Sequence, residues 1–195
     1  IAKATDYIDS NPQEKAFARV TTPMAKYFNC SRAVAIANEA LQCHGGNGFV
    51  EDGPMARLYR EAPLNSVWEG TANMMCMDVR RAIRKNANCR EALFAELADV
   101  RRQDARFDAY VNAMGPVLDA MVEDEFFARP ASEAIARSLQ GAELLRHSTP
   151  EVIDVFMKTR LGGGVNSWGA MFGTLGPGVT QAQADIIVER ARVKR

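Results

Sequence analysis

The chain has 195 residues, 47% of them hydrophobic and 25% charged, which is an ordinary budget for a globular protein with a real core. Lys plus Arg equals Asp plus Glu at 24 each, so no gross field directs it to nucleic acid or an acidic membrane. No run of about 18 apolar residues offers a membrane span and the first residues lack a signal-peptide pattern, so a cytoplasmic location is expected. Cys30, Cys43, Cys76 and Cys89 keep no metal-ligand spacing, and only His44 and His147 could join them. Free buried thiols and no metal site are expected.

Strand signals are nearly absent, which makes this an all-α protein. Residues 1–9 read as the tail of a helix, and the opening on Ile1 reads as a piece of something longer. Asn11-Pro12-Gln13-Glu14 supplies a cap, a first-turn proline and a first-turn carboxylate. A long helical pattern then runs to about His44, with Pro23 marking either a kink or two abutting helices. Ala33, Ala37 and Ala40 give it a slim side for close packing. Three glycines in Cys43-His-Gly-Gly-Asn-Gly48 reverse the chain.

A short helix is expected around 55–60 and another over about 70–85. Amphipathic helices follow near 88–101, 104–122, 131–147, 150–160 and 180–193, with start signals at Ser148-Thr-Pro-Glu151 and Thr180. The stripe Phe107, Val111, Met114, Leu118 and Met121 keeps helical spacing and belongs to the core. Seven glycines fall within residues 161–178. That segment lacks the lysine and the strand–helix context of a phosphate loop, and reads as a loop docked by Trp168, Met171 and Phe172.

Two segments carry candidate chemistry. Gln42-Cys-His-Gly-Gly-Asn-Gly-Phe49 places an amide and bare glycine backbone at a helix end, where a pyrophosphate can approach closely. Val67-Trp-Glu-Gly-Thr-Ala-Asn73 sets Glu69 against an indole and ends in helix N-terminal N–H groups, which favour anions. A carboxylate held dry beside Trp68 makes a stronger base. The competing readings are simpler: Glu69 as a first-turn carboxylate facing the helix dipole, Gln42 as a cap of its own helix, Asn73 as an exposed first-turn residue.

The wording QCHGGNGF, YREAP and VWEGT, in this order, resembles the C-terminal helical domain of the acyl-CoA dehydrogenase superfamily. The run NSVWEGTANMMCMDVRRAI and the helical extension after it look most like the AidB-like, alkylation-response branch. The resemblance implies an up-down helical bundle over 1–85 and an AidB-like helical extension over 86–195. It is strong over about 13–85 and weaker beyond.

By that resemblance Glu69 is the catalytic base, removing the α-proton of an acyl-CoA thioester while the β-hydride passes to flavin N5 of FAD. Gly70 and Trp68 would lie against the substrate, and Thr71, Ala72 and Asn73 would contact the adenosine end of FAD. Gln42, Cys43, His44, Gly45 and Gly46 would touch the FAD of a neighbouring subunit, which implies a homo-oligomer, commonly a dimer of dimers.

The family's N-terminal helical domain and central β-domain, which hold the flavin ring, are not found in this sequence. The chain alone is therefore expected to be inert and to bind FAD poorly. Where family members commonly carry E-G-T-S-E-I-Q-R, this sequence has EGTANMMCMD; Met74, Met75 and Met77 are expected to pack on the following helix, and the substrate is less determined than the flavin contact. The same branch raises DNA binding as an alternative. Residues 80–106 carry eight basic against four acidic side chains, with Arg80, Arg81, Arg84, Arg101 and Arg102 as candidates, although 80–195 as a whole holds 17 against 15.

Overall fold

The computed structural model describes residues 1–163 and 178–192, so the expected docking of Trp168, Met171 and Phe172 lies outside the described residues. Among the described residues every regular element is helical, as the sequence requires.

Helix α1 spans Ala2–Asp6 and α2 spans Pro12–Cys43. The Asn11 side chain accepts from the N–H groups of Gln13 and Glu14, and Pro12 occupies the first turn, where its missing N–H costs nothing. The alternative of two abutting helices at Pro23 does not occur: α2 is one element, with Pro23 inside it and buried. One lost hydrogen bond is tolerated there because the proline ring and its neighbours Val20, Met24 and Tyr27 are buried in the core.

A short turn, α3 (Gly46–Phe49), then α4 (Met55–Glu61) and a 3-10 turn over Ala62–Ser66 return the chain along the second half of α2. Helix α5 (Ala72–Lys85) lies along α2, followed by α6 (Ala87–Leu97), α7 (Ala105–Glu123) and α8 (Ala128–His147). The helix expected over 88–101 stops at Leu97 and tightens into a 3-10 turn, Ala98–Val100. Helix α8 starts three residues earlier than expected, because Pro130 sits in its first turn and does not obstruct it. Helix α9 (Pro150–Phe156) passes into a π turn over Met157–Leu161, and α10 (Gln181–Ala191) opens on a full capping box between Thr180 and Gln183.

The core is one continuous cluster. It runs from Val20 and Met24 of α2 through Val79 and Ile83 of α5 and Leu93 and Leu97 of α6 to Ile135 of α8, and takes in Phe107, Val111, Met114, Leu118 and Met121. It crosses residues 85 and 86 without a break. The alternation of large and small residues lets α7 and α8 approach closely: a Cβ on Gly141 would meet the Phe107 ring at 3.0 Å. Arg137, almost fully buried in α8, is satisfied by Glu133 and by the Arg160 carbonyl at 3.0 Å.

Burial along α2 is uneven, and this positions the site. All its fully buried residues lie between Ala16 and Phe28. Beyond Phe28 it carries the turn, α3 and α4 on one side, and Ala33, Ala37 and Ala40 are only half-buried.

Candidate functional site

The segment Ser66–Thr71 connects the 3-10 turn to α5 through two residues with positive φ, Glu69 at 55° and Gly70 at 104°. The glycine adopts this freely. The glutamate does not, and a non-glycine residue held there costs about 1–3 kcal/mol. Two long-range hydrogen bonds hold the segment in place. Ser66 Oγ donates to the Cys30 carbonyl at 3.0 Å, and Lys26 Nζ donates to the Gly70 carbonyl at 2.5 Å. Lys26 and Cys30 are one turn apart on the same face of α2, so the segment is tied down at both ends and bowed outward between them. Val67, Trp68 and Glu69 form the bow and all three are exposed.

That arrangement corrects one expectation. Trp68 is 57% exposed, and Glu69 is exposed with no apolar wall around it among the described residues. The reason is geometric: the two ties draw Ser66 and Gly70 to α2 and leave the residues between them pointing away from the core. Dryness at Glu69 has to come from whatever covers this face.

The N-terminus of α5 is open. Thr71 occupies the cap position without a side-chain capping bond, and the N–H groups of Thr71, Ala72, Asn73 and Met74 donate to no acceptor among the described residues. Thr71 and Asn73 are exposed, as the simpler reading of Asn73 also required. Met75 and Met77 pack partly into the core, with Met75 Cε lying where a Cβ on Gly70 would be, whereas Met74 is 52% exposed and does not pack as expected.

At the far end of α2, Gln42, Cys43, His44, Gly45 and Gly46 are all exposed. Gly45 turns the chain with φ of 58°, and Gly48 allows α3 to fold back, since a Cβ there would meet the Leu41 carbonyl at 2.4 Å. His44 Nδ1 sits 2.8 Å from the Ala40 carbonyl of its own helix. The Gln42 side chain makes no hydrogen bond among the described residues and does not cap its helix. Cys43 is exposed, contrary to the expectation of buried thiols, because the helix end carries it beyond the core; Cys76 and Cys89 are buried and Cys30 lies between. Among the described residues no cluster of His, Cys, Asp and Glu could hold a metal ion.

The two motifs are not brought together. Lys26 marks the level of Glu69 on α2, and Gln42 lies 16 residues further along, about 24 Å at the helical rise. A groove of about 1000 Å³ between α1, α2, α8 and α9, lined by Phe17, Met24, Phe28, Leu139 and Phe156, contains no residue of either motif.

The arginines proposed for DNA are largely engaged. Arg80 Nε and an Nη donate to the carbonyls of Met121 and Val122 at 2.7 and 3.1 Å, closing the C-terminus of α7. Arg81 pairs with Asp78 at 3.1 Å, and Arg101 with Asp108 at 2.7 Å and Asn112 at 2.6 Å. Arg84 and Arg102 alone of the five extend without a described partner, which does not make a stripe able to neutralise several phosphates. Asp78, Asp108 and the C-terminus of α7 take up much of the local excess of charge.

Residues 2–84 match the profile of the acyl-CoA dehydrogenase C-terminal domain. They belong to that family. The putative acyl-CoA dehydrogenase AidB of Escherichia coli (strain K12) is 33% identical over 152 residues, covering 78% of this chain and 28% of that protein. Acyl-CoA dehydrogenase family member 11 of Caenorhabditis elegans is 27% identical over 159 residues, covering 72% of this chain and 26% of that protein. The crystal structure of Caenorhabditis elegans ACDH-11 in complex with C11-CoA superimposes with a TM-score of 0.67 at 22% identity, covering the whole of this chain and 36% of that one. The fold is thus the all-α fold of this domain, and the chain spans about a quarter to a third of the length of these relatives. No helix among the described residues is long and apolar enough to cross a membrane.

Sequence reasoning missed Lys26, Ser66 and Arg80 as organisers of the acyl-CoA dehydrogenase domain. Their partners lie 44, 36 and 41 residues away, and nothing local to them signals the pairing.

Proposed function

We propose that this chain is the base-bearing part of an FAD-dependent acyl-CoA dehydrogenase, with Glu69 as the general base. The observation that carries the reading is the bowed turn: a carboxylate presented outward on a strained, doubly tied segment, next to an open helix N-terminus, at the position the family assigns to its base. Glu69 is held at positive φ with its side chain away from the core, and the two ties to α2 rather than burial keep it there.

In this reading Glu69 removes the proton α to the thioester carbonyl of an acyl-CoA, a step for which a positioned base contributes about 10²–10⁴ in rate. FAD, when bound, supplies the acceptor for the hydride leaving the β-carbon. The residues present fit the ends of that cofactor better than its ring. The open N–H groups of Thr71, Ala72 and Asn73 suit an anionic or polar group, and the glycine backbone of Gly45 and Gly46 admits a close approach beside Gln42, Cys43 and His44. The described residues offer no strand on which a flavin ring would lie, so this chain alone is expected to hold FAD weakly and to be inactive. Gly70 and Trp68 border the thioester, and the exposed indole becomes a dry wall once substrate and a covering domain close over it.

The separation of about 24 Å between the motifs favours two different cofactors over one. Gln42–Gly46 then reach the FAD of a neighbouring subunit, and the working unit is a homo-oligomer, with a tetramer expected. Residues 1–85 form the catalytic helical domain and 86–195 the extension that buttresses it.

The test is anaerobic titration of the flavin-loaded protein carrying this chain with short and branched acyl-CoAs. Bleaching of the flavin that Glu69→Gln abolishes is the expected result. Equal bleaching in the variant, or none with any thioester in a protein that retains FAD, refutes the assignment.

A further inference from the structure

The glutamate at positive φ needs something to hold it there, and among the described residues one charged donor serves that purpose. The carbonyl of the next residue, Gly70, receives the Lys26 ammonium at 2.5 Å, in a half-buried setting where a charge-assisted bond is strong. We propose that Lys26 is the positioning residue of the base: by fixing the Gly70 carbonyl it sets both the reach of the Glu69 carboxylate and the direction of the Thr71 N–H. The inference rests on the reading of Glu69 as the base.

Three features support the role. A trans peptide is planar with its C=O and N–H opposed. Holding the Gly70 oxygen against α2 therefore turns the Thr71 N–H away from α2, toward the open side where the N–H groups of Ala72, Asn73 and Met74 also lack acceptors. Second, the bond fixes the peptide one residue beyond the base, so its loss would free the Gly70 φ and ψ torsions through which the Glu69 turn is held to α2. Third, Lys26 and Cys30 are fixed on a rigid helix whose residues from Ala16 to Phe28 are anchored in the core. The Ser66–Cys30 bond at 3.0 Å ties the other end of the turn to the same helix. Glycine at 70 suits the same construction, since its φ of 104° is one that residues with a Cβ rarely adopt. A long, flexible lysine side chain loses much rotamer freedom when held to one acceptor, which a structural filler at this position would not need.

The test pairs two readouts. The first needs no flavin: amide hydrogen exchange of Val67, Trp68 and Met75, whose N–H groups are bonded at the two ends of the turn, for wild type, Lys26→Met and Lys26→Arg. Lys26→Met is expected to raise exchange there at least tenfold while α7 and α8 stay protected, and Lys26→Arg to restore most of the protection. Unchanged exchange in Lys26→Met overturns the proposal.

The second readout is single-turnover flavin bleaching in the flavin-loaded protein. Misplacing a base by about 1 Å costs up to about a hundredfold. Lys26→Met is thus expected to slow bleaching tenfold to a hundredfold with KM within about twofold, and Lys26→Arg to recover most of the rate. If Lys26→Met does not fold, Ser66→Ala releases the opposite end of the same turn and is expected to raise exchange and slow bleaching in the same sense. A wild-type rate in the folded variant, alongside an inactive Glu69→Gln, overturns the positioning role alone. Full activity in Glu69→Gln instead overturns the base assignment, and the positioning role with it.

Discussion

Replacing Arg80 with Met removes the clamp between α5 and the end of α7. Two bonds of 2.7 and 3.1 Å from a guanidinium to terminal helix carbonyls would be lost, with a third contact at 3.4 Å to the Glu123 carbonyl that adds little. Bonds involving a charged group contribute about 1.5–3 kcal/mol each where water is excluded. Here the carbonyls end a helix and Arg80 is only half-buried, so water can replace part of each bond. The favourable position of a cation at a helix C-terminus adds about 0.3–1 kcal/mol. A net loss of about 2–3 kcal/mol is expected, or roughly a 5–10 °C fall in Tm for a chain of this size.

Urea unfolding followed by far-UV circular dichroism measures it. The midpoint should fall while the m-value stays constant, since the surface exposed on unfolding is unchanged. Arg80→Lys should recover about half, because a single ammonium cannot span two carbonyls as a guanidinium does. A loss below about 0.5 kcal/mol, the range of an ordinary surface substitution, would refute the clamp and return Arg80 to the pool of free surface cations.

Thiol labelling of this chain at pH 8 should separate its cysteines by burial: Cys43 reacting fast, Cys30 more slowly, and Cys76 and Cys89 only at the rate of unfolding. Burial pushes the Cys76 thiol up to about 11 and raises that of Cys89, so neither presents much thiolate, and fast loss of more than two thiols would contradict the packing of α5 and α6. The Arg19–Asp78 pair, bidentate at 2.9 Å on both oxygens, joins α2 to α5 and holds the Asp78 carboxyl below its ordinary value, first through the Arg19 hydrogen bond. A depressed carboxylate stabilises the fold above the unfolded pKa of about 3.9 and stops doing so as pH falls through the folded value. The stability gap between wild type and Arg19→Met, about 1 kcal/mol at most for so exposed a pair, should be constant from pH 5 to 8 and shrink below pH 4. A gap that persists to pH 2 would assign it to packing of the Arg19 stem instead.

Helix order, most helix ends and the two motif segments could be read from the residues themselves, because caps, proline placement and apolar spacing act within a turn or two. Asn11 and Thr180 cap as expected, and the stripe from Phe107 to Met121 is buried throughout. Pro23 left two readings open because the cost of a missing hydrogen bond is local, while the burial that outweighs it and keeps α2 one element is not.

What only the tertiary structure decided concerns where side chains end up after distant segments meet. Trp68 beside Glu69 suggested a dry carboxylate, yet both face outward, because Lys26 and Ser66 fix the turn against α2 by its ends. Arg80 looked like one basic residue among several, and became the cap of a helix whose last carbonyls lie 41 to 43 residues later. Sequence by itself determined which residues could do chemistry, since that is a property of their functional groups and local backbone. It could not determine which of them are held, covered or already paired, since those depend on contacts between residues that the chain places far apart.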